Sequence, residues 1–373
     1  MSDPRVIKLA DILINYSLKV KKGERVLINA SSELAKPLVL EVYKKVLEAG
    51  AHPTVNIAFE EIANIFYSMA DREQLLDFPK LKLLEAKNVD CVVNIRAAVN
   101  KKALSSIDSK AISMRSKVLM PIQEEIVNKK RWVLCNFPTN AFAQETDMSL
   151  EEYEDFLYSA TNINWEKVKK EEMRLKKILD KGKIVRIVGK DTYLTISIKG
   201  RKAIPCYGER NMPDGEVFLS PVENSAEGRI YYDLPAIYQG KEVLGIRLKF
   251  KKGKVVEASA EKNEKFLIAM LDTDEGARYL GELGIGTNYG IKHFSKDILF
   301  DEKIGGTVHL AVGRSYKDAG GKNESAIHWD MIKDLRPAPR IKYGAGSEGL
   351  NQGNGGAIYV DGRLIQKDGK FCW

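Results

Sequence analysis

Between Thr307 and Met331 the chain reads T-V-H-L-A-V-G-R-S-Y-K-D-A-G-G-K-N-E-S-A-I-H-W-D-M, a stretch that holds two of the four histidines in 373 residues. Imidazoles and carboxylates together are the groups that ligate metal ions or move protons near neutral pH. His328 and Asp330 would diverge on a helix, but on a strand they share one face, with Trp329 turned the other way. An H-x-D strand can therefore present nitrogen and oxygen to one ion. In T-V-H-L-A-V-G the same period puts Thr307, His309 and Ala311 on one face and Val308, Leu310 and Val312 on the core side. The small Ala311 leaves space beside His309. For either ring taken alone, a half-buried histidine bonded to a neighbour is the ordinary alternative.

Three acids occupy unusual settings. Glu216 stands in P-D-G-E-V-F-L-S-P, an apolar, strand-like run bracketed by prolines, and Glu282 stands in Y-L-G-E-L-G-I-G-T-N, where most nearby side chains are apolar or absent. Glu302, in L-F-D-E-K-I-G-G, precedes the first histidine. A carboxylate on an apolar strand needs a partner, because burying an unpaired charge costs several kcal/mol. A metal ion or an arginine would each suffice. Tyr316 lies between the histidines, as a hydrogen-bond donor or as a packed loop aromatic. The chain contains no H-E-x-x-H, so the single-zinc protease plan is absent as a motif.

The elements that must position these residues fall into two halves, as a length of 373 residues suggests. Residues 1–182 alternate helix and strand signals. Ser2 or Asp3 caps an opening helix with Pro4 in its first turn. Then come the strand E-R-V-L-I-N-A, a helix through L-V-L-E-V-Y-K-K-V-L-E-A-G ending at Gly50, and the strands P-T-V-N-I-A, V-D-C-V-V-N-I-R-A and K-R-W-V-L-C-N-F-P. The expectation is a Rossmann-like α/β domain with a mostly parallel sheet, closed by one long charged helix from about Glu151 to Lys183. Residues 183–373 change to period-two patterning, beginning with a hairpin around G-K-D. They predict a β-rich, barrel-like α+β domain with a helical segment near Asn263 to Leu280.

Composition excludes several classes. No apolar run approaches the roughly 20 residues that span a bilayer, and with Asp3, Arg5, Lys8 and Asp11 interrupting it and no small-residue cleavage site following, the N-terminal segment reads as a mature helix start rather than a leader. Cys91, Cys135, Cys206 and Cys372 are scattered without a C-x-x-C pair, and Cys91 and Cys135 sit in apolar strands as inert core residues. A cytoplasmic protein follows. The net charge of +8 is spread over helices that interleave lysine with acid, without a basic tail or aromatic RNA-binding signature, which argues against nucleic acid. No G-x-G-x-x-G follows the first strand, where the chain reads N-A-S-S-E-L-A-K-P. That counts against the alternative of a non-catalytic nucleotide- or metabolite-binding protein built on the first half. The glycine-rich stretch Gly344 to Gly356 has no lysine-serine pair and reads as a loop rather than a phosphate cradle.

The motifs G-E-V-F, G-E-L-G-I-G-T-N, G-G-T-V-H-L-A-V-G-x-S-Y and H-W-D-M, in this order, resemble those of the M29 metalloaminopeptidases, the thermophilic, aminopeptidase T-like family. The first-half segment P-T-N-A-F-A-Q-E-T-D-M-S-L-E-E-Y-E-D-F is similar to that family's interdomain signature, so the resemblance spans almost the whole chain. It implies metal ligands at Glu216, Glu282, Glu302, His309, His328 and Asp330, with Glu282 bridging and Tyr316 lining the site. Four carboxylates and two imidazoles are too many for one tetrahedral zinc and suit two divalent ions, zinc, cobalt or manganese, about 3.5–4 Å apart. The activity implied is hydrolysis of the N-terminal peptide bond of peptides with a free N-terminus, by metal-bound hydroxide, in a homodimer.

Overall fold

The computed structural model describes residues 3–337 and 355–373, so residues 344–354 of the glycine-rich stretch lie outside the described part. The chain divides into two compact units, Met1–Asn162 with Gly208–Pro213 and Ile163–Tyr207 with Asp214–Trp373. Among the described residues no helix is long and apolar enough to cross a membrane.

The first unit is built on five parallel strands in the order His52–Ile57, Arg25–Ala30, Cys91–Arg96, Arg131–Asn136, Asn211–Met212. The inner strands R-V-L-I-N-A and C-V-V-N-I-R are nearly continuous apolar runs, as strands covered on both faces must be. Asp3 caps the first helix, its side chain accepting from the Arg5 amide at 2.7 Å, and Pro4 opens that helix. Gly50, at φ +70, follows the helix Lys36–Glu48 and donates its N–H to the Leu47 carbonyl. At the first strand-to-helix turn, Ser31 Oγ accepts from the Ala97 amide at 2.7 Å and Ser32 Oγ donates to the Ala97 carbonyl at 2.5 Å. Hydroxyls thus hold a turn where a dinucleotide-binding fold would place glycines. Burial pushes the Cys91 thiol up to about 11 and the Cys135 thiol to about 12, so both are inert in the core.

The long charged helix expected from about Glu151 to Lys183 is instead two helices, Leu150–Thr161 and Trp165–Lys181. Ser149 and Glu152 form a capping box on the first, and Asn164 caps the second by accepting from the Lys167 amide at 3.0 Å. Asn162 ends one helix with its Nδ2 donating to the Arg5 carbonyl at 2.9 Å, and Asn164 starts the next. The helix Trp165–Lys181, which the sequence reading groups with the first domain, belongs to the second unit, where Leu175 and Leu179 join the core.

That second unit contains an eight-stranded and a five-stranded sheet, both antiparallel, and a two-stranded ribbon. The hairpin Ile184–Gly189 and Thr192–Ser197 turns at Lys190 and Asp191, with Asp191 at φ +49. The helical segment expected near Asn263 to Leu280 is confined to Glu264–Leu271. Ile187, Ile196, Leu248 and Phe250 of the larger sheet share a core with Val217, Leu283, Leu310 and Trp329 of the smaller. Each such side chain contributes about 1.5–3 kcal/mol by burial.

Candidate metal centre

The five-stranded sheet has the order His328–Asp334, Thr307–Gly313, Leu280–Gly286, Glu216–Leu219, Ile204–Cys206. Residues opposite one another in an antiparallel pair lie on the same face. Gly313 opposes His328, Ala311 opposes both Asp330 and Glu282, Gly284 opposes both His309 and Phe218, and Gly286 opposes Glu216. His328, Asp330, His309, Glu282 and Glu216 therefore occupy one face across four strands. The other face carries Val308, Leu310, Val312 and Trp329 into the core.

Two glycines make this convergence possible. Leu280 pairs with Val312 and Glu282 with Ala311, so Gly281 is an extra residue that shifts the register. The bulge lets Leu280 face the core while Glu282, two residues on, faces the opposite way. A Cβ on Gly281 would fall 2.2 Å from the Arg314 carbonyl oxygen. A Cβ on Gly284 would fall 1.9 Å from His309 Nε2, so the imidazole lies across this glycine. Its ring thereby reaches past a neighbouring strand, to 3.1 Å from Glu216 Oε2 and 3.5 Å from Glu282 Oε1.

The other oxygen of Glu282, Oε2, is 3.2 Å from His328 Nε2, which lies 3.6 Å from Asp330 Oδ2. His328 Nδ1 donates to the Arg314 carbonyl at 2.7 Å, which aims Nε2 at the carboxylates. Burial raises a carboxyl, but the imidazoles of His309 and His328 outweigh it and hold Glu282 down at about 2. Burial alone would lower His328, yet Glu282 and Asp330 bring it up to about 9, and Glu216 and Glu282 likewise raise His309. Burial, reinforced by the Glu282 charge, lifts Asp330 to about 6.

Each of two groups, Glu216 with Glu282 and His309, and Glu282 with His328 and Asp330, offers ligand atoms within 4.8 Å of one another. Both ring nitrogens of His309, Glu216 Oε2 and Asp330 Oδ1 are buried without an aligned hydrogen-bond partner. Leaving so many buried polar atoms unsatisfied is costly unless something else binds them. The imidazole and carboxylate donors, with Glu282 common to both groups, fit a pair of divalent cations.

Glu302 follows the short helix Ile298–Asp301 and lies outside both groups, its Oε1 accepting from Lys303 Nζ. Burial, with Glu216 and Asp330 adding to it against the Lys303 ammonium, raises its carboxyl to about 8. Tyr316 caps one end of the site. Its ring meets His328 edge-on at 5.1 Å and Phe218 at 5.2 Å, and its amide donates to Ser220 Oγ at 3.1 Å.

Sequence reasoning missed Lys303, Cys206 and Asp214. Lys303 is fully buried, with Nζ 3.6 Å from Glu216 Oε1. Nothing in D-E-K-I-G-G separates this lysine from the other members of a set of 59 lysines and arginines. Cys206 opposes Glu216 in the next strand, and with Asp214 and Glu216 it forms a third group of close ligand atoms.

Residues 2–342 match the protein family described as thermophilic metalloprotease (M29). The chain belongs to that family. Among other M29-like sequences, it is 28% identical to aminopeptidase 2 of Geobacillus stearothermophilus, over 87% of this chain and 90% of that protein. It is 35% identical to aminopeptidase T of Thermus aquaticus over 36% of this chain and 35% of that one. A solved structure, wild-type AmpT from Thermus thermophilus, superposes with a TM-score of 0.81 over 99% of both chains at 23% identity, which speaks to the fold. Membership of a metalloprotease family and the donor set on the sheet face point to divalent metal as the resident cofactor.

Proposed function

We propose that this M29 metalloprotease is an aminopeptidase that removes the N-terminal residue of peptides, using two divalent ions held by Glu216, Glu282, His309, His328 and Asp330, with Glu302 completing the set. The observation that carries the reading is Glu282, whose two oxygens face two different imidazoles. A carboxylate so placed would offer one oxygen to each of two neighbouring divalent ions. Zinc, cobalt or manganese would supply Lewis acidity and an ionised water at neutral pH.

The chain's own residues do the rest. Glu282 keeps the two halves of the site in register, the Arg314 carbonyl orients His328, and Tyr316 offers its hydroxyl to the oxyanion that develops at the scissile carbonyl. A free, neutral N-terminal amine has a lone pair to anchor, and that anchoring sets the first peptide bond against the reacting groups. Four free cysteines agree with action in the cytoplasm, and we read the assembly as a homodimer from the family resemblance.

The test compares leucine p-nitroanilide, its N-acetyl counterpart and a longer peptide. Cleavage of the free-amine compound alone, with residues released one by one from the N-terminus, is expected. Comparable cleavage of the blocked compound, or internal cuts in the peptide, would make the protein an amidase or endopeptidase.

A further inference from the structure

Beside the ligand face stands a buried cation that the two-ion reading does not use. The Lys303 side chain is 0% exposed; its Nζ donates to Glu302 and lies 3.6 Å from Glu216 Oε1. Its amino group therefore lies against two carboxylates inside the protein.

The Glu216 carboxylate also belongs to a second group of close ligand atoms. Cys206 shares its face by direct strand pairing, and ligand atoms of Cys206, Asp214 and Glu216 lie within 4.8 Å of one another. Asp214 is delivered by a turn at Gly215, with φ +123, where a Cβ would meet Asn288 Cβ at 2.6 Å; Asn288 Nδ2 in turn donates to the Asp214 carbonyl at 2.9 Å. Glu216 is 6% exposed, with Oε2 toward His309 at 3.1 Å and Oε1 toward Lys303 at 3.6 Å. A thiol with two carboxylates is a donor set for zinc or cobalt. A divalent ion bound there would sit within a few ångströms of the Lys303 ammonium in a dry interior, where like charges repel strongly.

We propose that Lys303 is a positioning residue of the metal centre: its ammonium supplies the positive charge that a third ion would otherwise bring to Cys206, Asp214 and Glu216, and so confines metal to the two imidazole-containing groups. The proposal rests on the two-ion reading given above. It assigns Cys206, Asp214 and Glu216 as a latent thiophilic site that the lysine closes to metal.

The experiment loads whole protein with Co2+, then measures bound metal and absorption. Wild type is expected to bind two equivalents with no thiolate-to-cobalt charge-transfer band. Lys303→Met should bind one further equivalent and gain that band, and adding Cys206→Ser should abolish both. Lys303→Arg, which keeps the charge, should keep the wild-type stoichiometry. Lys303→Gln serves for the same measurement if the methionine variant does not fold. An unchanged stoichiometry without a band in the neutral variants, or a Cys206-dependent band already in wild type, would overturn the proposal. Wild type that binds no metal at all would overturn the two-ion reading itself, and this proposal with it.

Discussion

Glu282 is the side chain on which the site turns, because each of its oxygens serves a different imidazole. Glu282→Ala should lower turnover by several orders of magnitude and reduce bound metal, with far-ultraviolet circular dichroism unchanged. Tyr316→Phe should leave metal content intact and cost about 10²–10³ in kcat, the loss of one donor to an oxyanion. Equal and small effects of both would place the chemistry elsewhere. Gly284 contributes through the side chain it lacks. Since a Cβ there would lie 1.9 Å from His309 Nε2, Gly284→Ala should displace the ring and weaken metal binding in titration calorimetry more than it lowers thermal stability. The acids and histidines were legible as residues out of place on apolar strands; the glycine was not, because its role depends on which ring lies over it.

Among the elements, the strand Leu280–Gly286 carries the most consequence. Its one-residue bulge at Gly281 separates a core-facing Leu280 from a site-facing Glu282. Simple alternation would have put both on one face. The alternation of Thr307–Gly313 and of His328–Asp334 followed directly from period two, since those strands pair without a register shift. The helical break at Asn162 to Asn164 was hidden by charge periodicity that continues through it, while the capping geometry that decides it is local. Asn164→Ala should destabilise the protein by about 0.5–2 kcal/mol in urea unfolding, through the lost bond to the Lys167 amide.

For the molecule as a whole, removal of metal by a chelator should abolish activity, and zinc, cobalt or manganese should restore it. Full activity in protein shown to be metal-free would sink the mechanism. The cysteines give an independent check on the packing. Burial raises the Cys91 and Cys135 thiols, so at about pH 8 each stays protonated and poorly nucleophilic, while Cys372 is exposed. A thiol reagent at that pH should label Cys372 in native protein, and Cys91 and Cys135 only after denaturation, as mass spectrometry of digests would read.

The sequence by itself determined the residue types, the parallel sheet of the first half and the β-rich character of the second, and the faces on which His309, His328 and Asp330 stand, because strand period and apolar runs are local properties. The tertiary structure alone decided that Ser31 and Ser32 bond to Ala97 just beyond the neighbouring strand, that the helix Trp165–Lys181 joins the second unit, and that five site residues from four strands meet. Those facts depend on register, on one inserted glycine and on an imidazole lying over another glycine. They arise from backbones brought together across long stretches of chain, and no periodicity records them. Lys303 is the extreme case: a lysine's sequence neighbourhood says solvent, and only the surrounding acids, gathered by the fold, make a buried ammonium stable.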